Sequence, residues 1–156
     1  MRRPILSLVL LATFAATIAG CSSSTSPSST STSTTTVNPT TELLSGTVAA
    51  LVNGERQSSS NPFTVALNGG GVTVTLTSAV ETFPDGSLLP TVTMGLGVGT
   101  WANNTCTQIT NAYTTAQAGG TPQLSGTINS GAYCVLVSDV TNQLGPVAYA
   151  VSVSHY

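Results

Sequence analysis

The chain has 156 residues, with three Arg, five Asp or Glu, no Lys and a net charge of −2. That composition excludes a basic stripe able to displace counterions from nucleic acid, a lysine-dependent phosphate loop or Schiff base, and a disordered protein extended by its own charge. What remains is a small Thr/Ser/Gly/Val-rich domain with no cofactor motif and an all-β signature.

Residues 1–20 run from Arg2-Arg3 through an apolar stretch, Ile5 to Ile18, to the small residues Ala19-Gly20. A positive start, a short apolar run and a small-residue exit form an export signal, and the run is short for a membrane span. The segment ends in Ile18-Ala19-Gly20-Cys21. This resembles the lipobox of bacterial lipoproteins: aliphatic, small, Gly or Ala, then Cys. The resemblance implies that the Cys21 thiol receives a diacylglycerol and that cleavage leaves Cys21 as the first residue. Two or three acyl chains make a stable anchor, at roughly 0.8 kcal/mol per buried CH2. Ser22 follows in place of the Asp that favours inner-membrane retention. In a two-membrane bacterium the resemblance therefore implies the outer membrane or cell surface.

From Ser22 to Thr41, sixteen of twenty residues are Ser or Thr. Such a tract has nothing to bury, so 21–41 is expected to be a lipidated Cys followed by a disordered tether. As a flexible coil its ends would lie about 25 Å apart.

Residues 42–156 are expected to form one domain, of ordinary size. Val72-Thr73-Val74-Thr75-Leu76-Thr77 alternates apolar and hydroxyl side chains. Val92, Met94, Leu96 and Val98 alternate with Thr and Gly, and Tyr133, Val135 and Val137 share a face, as do Val147, Tyr149, Val151 and Val153. A period of two marks strands with one buried face. Asn68-Gly69-Gly70-Gly71 predicts a hairpin between 64–67 and 72–77, and Pro84-Asp85-Gly86, Gly119-Gly120-Thr121-Pro122, Asn129-Ser130-Gly131 and Asn142 to Pro146 predict further turns. The expected fold is a two-sheet antiparallel β-sandwich of seven to nine strands, the best helical stretch being the short, Thr-rich 112–118.

Cys106 and Cys134 are the remaining pair in an exported domain, which predicts a disulfide, a metal or redox pair being the rival. Gly131-Ala132-Tyr133 followed by Tyr149-Ala150-Val151-Ser152-Val153 resembles the end of the bacterial pre-peptidase C-terminal type of β-sandwich. That resemblance implies a jelly-roll-like sandwich, and an accessory or inhibitory role beside a secreted protease.

Few side chains are suited to catalysis. His155 is next to the C-terminus, where a solvated imidazole is expected rather than a held base. Glu81 and Asp85 are placed in one loop, and with Asp139 (beside Asn142) they are weak calcium candidates. Trp101 has Asn103 and Asn104 beside it and precedes Cys106. An exposed indole there would stack on a sugar, while a buried one would pack on the disulfide. Asn103-Asn104-Thr105 also matches an N-glycosylation acceptor. The expected protein is a non-enzymatic envelope lipoprotein whose sandwich is a binding or structural module for a glycan or an envelope protein. The alternative is a carbohydrate-binding module using Trp101, Asn103 and Asn104.

Overall fold

The computed structural model describes residues 38–66, 68–140 and 142–156. The signal segment, Cys21 and the tether up to Val37 lie outside the described residues. Nine strands are described: β1 (Thr40–Val48), β2 (Ser58–Val65), β3 (Gly70–Thr82), β4 (Leu88–Leu89), β5 (Met94–Ala102), β6 (Thr105–Ala116), β7 (Leu124–Ile128), β8 (Gly131–Ser138) and β9 (Val147–His155). The first strand begins at Thr40, two residues before the expected domain boundary. Of the best helical candidate, 112–118, residues 112–116 are the end of β6 and the last two follow it outside any strand.

One sheet has the order β1-β9-β3-β4, with β7 also paired to β3, and the other has the order β2-β8-β5-β6. All strand pairs are antiparallel. With the two-residue β4 set aside, this is a jelly-roll order, and the chain changes sheet at every connection except β5 to β6. The expected hairpin around Asn68-Gly69 is therefore corrected: β2 and β3 belong to opposite sheets. The backbone does turn there, with Asn68 and Gly69 at φ 89 and 62 and Gly69 N donating to Ala66 O at 3.3 Å. The turn carries the chain across the sandwich because β3 buries Val72, Val74 and Leu76 against the other layer.

The core forms where the alternating apolar faces meet. Val74, Leu76, Val151 and Val153 of one sheet and Met94, Leu96 and Val137 of the other are fully buried. One edge of β3 is shared by β7 at one end and β4 at the other, leaving a gap between them, while its pairing with β9 on the other edge has a register shift between Leu76 and Ser78. The gap does not leave backbone groups stranded. Gln123 Oε1 accepts from Leu76 N at 2.8 Å, Gly119 N donates to Leu76 O at 2.9 Å, and Val92 N donates to Ala79 O at 3.2 Å.

Candidate functional site

The hairpin that joins β5 to β6 carries the residues singled out around Trp101. Asn103 and Asn104 have φ of 51 and 60, as a two-residue type I′ turn requires at both central positions, and Asn tolerates that region better than most residues. Their side chains are exposed. Their first role is thus to close the turn between β5 and β6, a signal their Asn-Asn pairing carried in the sequence. Trp101 is half-buried and directly opposite Cys106.

Cys106 and Cys134 form a disulfide with a Cα separation of 5.9 Å. They lie on β6 and β8, which flank β5. Two strands flanking a third in a flat sheet would be about 9.5 Å apart. The sheet is therefore folded about β5, with the bridge on the face away from the core. Gly99 lies beneath it, where a Cβ would come within 2.9 Å of both sulfurs and 2.6 Å of Thr107 O. The alternation of Met94, Leu96 and Val98 with Gly95, Gly97 and Gly99 thus has two functions. The apolar set enters the core, and the glycine set leaves a track on the outer face that the disulfide and neighbouring side chains cover.

Tyr113 fills part of that track. Its ring reaches from above Gly97 to above Gly95, where a Cβ would collide with its hydroxyl and with Ser138 Oγ. Tyr113 remains 40% exposed. Gln108, opposite Gly99, stands on the same face. Tyr113, Gln108 and Ser138 had no place in the sequence reading. Their signal was the glycine at every second position of β5, which announces that something lies close over the strand.

The ionisable residues occupy other places. Glu81 is in β3, not in a loop with Asp85, and is 1% exposed. Its Oε1 accepts backbone N–H bonds from Leu144 and from Gly145, the latter at 2.7 Å, and so fastens the β8–β9 connection. Asp85 is exposed in the Pro84-Asp85-Gly86 turn, where Oδ1 accepts from Ser87 N at 2.9 Å and Ser87 Oγ at 2.6 Å. Those bonds hold its carboxyl below the usual range. Asp139 is buried, and its Oδ1 accepts from Asn142 N at 3.3 Å. Among the described residues, no three Asp, Glu, His or Cys side chains gather as a metal cluster.

His155 is the clearest correction. It belongs to β9, is 4% exposed, and its Nε2 lies 2.8 Å from Glu42 Oε1. Its ring also lies 5.6 Å from that of Phe63. The last strand is central in its sheet, between β1 and β3, so its final residues are covered on both sides instead of fraying. Tyr149 is held in the same layer. Its hydroxyl donates to Ser59 Oγ at 2.8 Å and accepts from Asn61 Nδ2 at 2.7 Å, while burial pushes its phenol above the ordinary value.

On the side where β6 and β7 face each other, the layers leave an open cleft of about 220 Å3. Val72, Val98, Ile109, Leu124 and Ile128 line its interior, and Asn111 is at its mouth. Cys21 lies outside the described residues. Comparison of the chain with protein-family models, curated proteins and solved structures returns no match.

Proposed function

We propose that this protein is a bacterial envelope lipoprotein, anchored through lipid on Cys21, whose β-sandwich is a non-catalytic binding or structural module. The observation that carries the reading is Ile18-Ala19-Gly20-Cys21, placed between an export signal and a Ser/Thr tract. The domain's chemistry agrees with it. Glu81, Asp85 and Asp139 each accept backbone hydrogen bonds, and His155 pairs with Glu42. These groups fasten loops and strands rather than facing one another across a cleft. In a bacterium with two membranes the reading places the module at the outer membrane or cell surface.

Replacing Cys21 by Ala tests the anchor. The variant is expected in the soluble fraction without fatty-acid label; a variant that still labels and pellets with membranes overturns the reading.

A second reading, glycan binding at the β5–β6 hairpin, has support in the half-buried Trp101 and the exposed Asn103 and Asn104. Iodide should quench the indole if it is available to a sugar; an unquenched, blue-shifted emission removes Trp101 from that role.

A further inference from the structure

We propose that Asn53, at the tip of the β1–β2 connection, is a modification site. It deamidates spontaneously through attack by the Gly54 amide, and the folded domain directs this chemistry to Asn53 and away from Asn68.

The chemistry favours an Asn followed by a residue without a side chain, because a Cβ on that residue crowds the approach of its nitrogen. Of the chain's nine Asn, Asn53 and Asn68 precede Gly. The Gly nitrogen, having lost its proton to solvent base, attacks the side-chain carbonyl carbon of the Asn. An N–C bond forms, the C–NH2 bond breaks, and ammonia leaves with a proton from water. Water then opens the five-membered imide at either carbonyl. Opening at the side-chain carbonyl gives aspartate, and opening at the main-chain carbonyl gives isoaspartate. In both, the residue has exchanged NH2 for OH, and the new oxygen comes from water.

The two turns differ in what holds them. Asn53 and Gly54 have φ of 53 and 79 and are the central pair of a two-residue turn. Val52 N donates to Glu55 O at 3.2 Å, and Glu55 N donates to Val52 O at 2.9 Å. Neither bond uses the Gly54 N–H. The Val52–Glu55 bridge stands outside the named strands, residues 51–56 are all exposed, and nothing lies within 4 Å of the place a Cβ would take at Gly54. Two exposed backbone bonds with no apolar burial behind them put this tip among the segments that open at least cost. The turn at Asn68 is fastened. Gly69 N donates to Ala66 O at 3.3 Å, so the nitrogen that would attack is engaged. The space above Gly69 is taken by Ile128 O and Asn129, and Gly70 lies against Tyr156. Gly70 and Gly71 are also paired with Ile128 and Thr127 of β7.

Ring closure requires the Gly nitrogen to swing towards the Asn side chain, out of the closed turn. At Asn68 that motion breaks packing and strand pairing, whereas at Asn53 it breaks the two tip bonds. The product carries a new carboxylate beside Glu55 and Arg56, and its isoaspartyl form adds a methylene to the main chain. No residue from 49 to 57 belongs to the core cluster, so the sandwich tolerates the change.

The test is incubation of the full chain in warm, mildly alkaline buffer made with oxygen-18 water, with and without denaturing guanidinium. Peptide mass spectrometry then follows label entering at each Asn. In the native chain Asn53 is expected to convert about tenfold or more faster than Asn68, because the opening of each turn sets its rate. In guanidinium the two rates should converge. Gly54→Ala should slow Asn53 markedly and leave Asn68 as in the parent. Asn53→Asp, which supplies the aspartyl product outright, should unfold at the parent's midpoint. Conversion at Asn68 as fast as at Asn53 in the native chain overturns the proposal, as does a native Asn53 that survives a period in which the denatured chain converts. A lowered midpoint in Asn53→Asp shows a tip that is packed rather than free to open, and overturns it too.

Discussion

Removing the bridge between Cys106 and Cys134 should destabilise the domain by a predictable amount. The bridge closes a loop with a sequence separation of 28. Restricting the unfolded chain by a loop of that size is worth about 3.6 kcal/mol in the chain-entropy model. A domain of this length loses about 4 °C per kcal/mol, so the Cys106→Ala/Cys134→Ala protein should melt about 15 °C lower. The comparison is made in the Cys21→Ala chain, by urea and thermal unfolding, so that no third thiol exchanges. The structure adds a second, more specific expectation. A Cβ at position 99 would come within 2.9 Å of both sulfurs, so Gly99→Ala overpacks the space beneath the bridge at a cost of about 1–3 kcal/mol. Part of that cost vanishes when the sulfurs are gone, while the part due to Thr107 O stays. A double-mutant cycle should therefore show about 1 kcal/mol of coupling between Gly99→Ala and loss of the bridge. If the bridge-free protein is within 1 kcal/mol of its parent, the entropy reasoning fails. If Gly99→Ala costs the same in both backgrounds, the disulfide does not occupy the space above Gly99.

Glu81→Ala should cost about 1–3 kcal/mol, because it strands the amides of Leu144 and Gly145; Glu81→Gln, which keeps an acceptor, should cost less, and chemical denaturation of the two variants checks the order. Tyr149 sets an alkaline limit. Its phenol is held above the value of 10.0 in the folded chain, so the unfolded state ionises first, and stability is constant below about pH 10 and falls as pH rises through the interval up to the folded value. Tyr149→Phe should flatten that part of the stability–pH curve. At the hairpin, Asn104→Gly should be neutral or stabilising and Asn103→Val should cost about 1–2 kcal/mol, because only the former residue adopts positive φ freely; thermal melts distinguish them.

The strands were legible because burial on one face writes a period of two into the sequence, and Val72, Val74 and Leu76, like Met94, Leu96 and Val98, enter the core as that period requires. Their partners were not legible. Asn68-Gly69 specifies a backbone turn equally well whether the next strand pairs with the last or crosses to the other sheet. What decides is the long-range pairing of β3 with β9. His155 was misplaced for the same reason. A terminal position says nothing of a strand's rank in its sheet, and β9 is flanked on both sides. Glu81 looked like a loop residue beside Asp85 because nothing local marks a strand continuing to Thr82 with a carboxylate facing inward to collect two amides from a segment more than sixty residues away. The disulfide was legible from cysteine count and the expected export, while its position over Gly99 needed the strand order.

The account depends most on Cys21 being the first residue of the mature protein and carrying lipid. Mass spectrometry of the N-terminal peptide from the membrane fraction measures this directly. The prediction is a peptide that begins at Cys21, with the added mass of a diacylglycerol on its sulfur. A mature chain that begins elsewhere, or one with an unmodified Cys21, contradicts it.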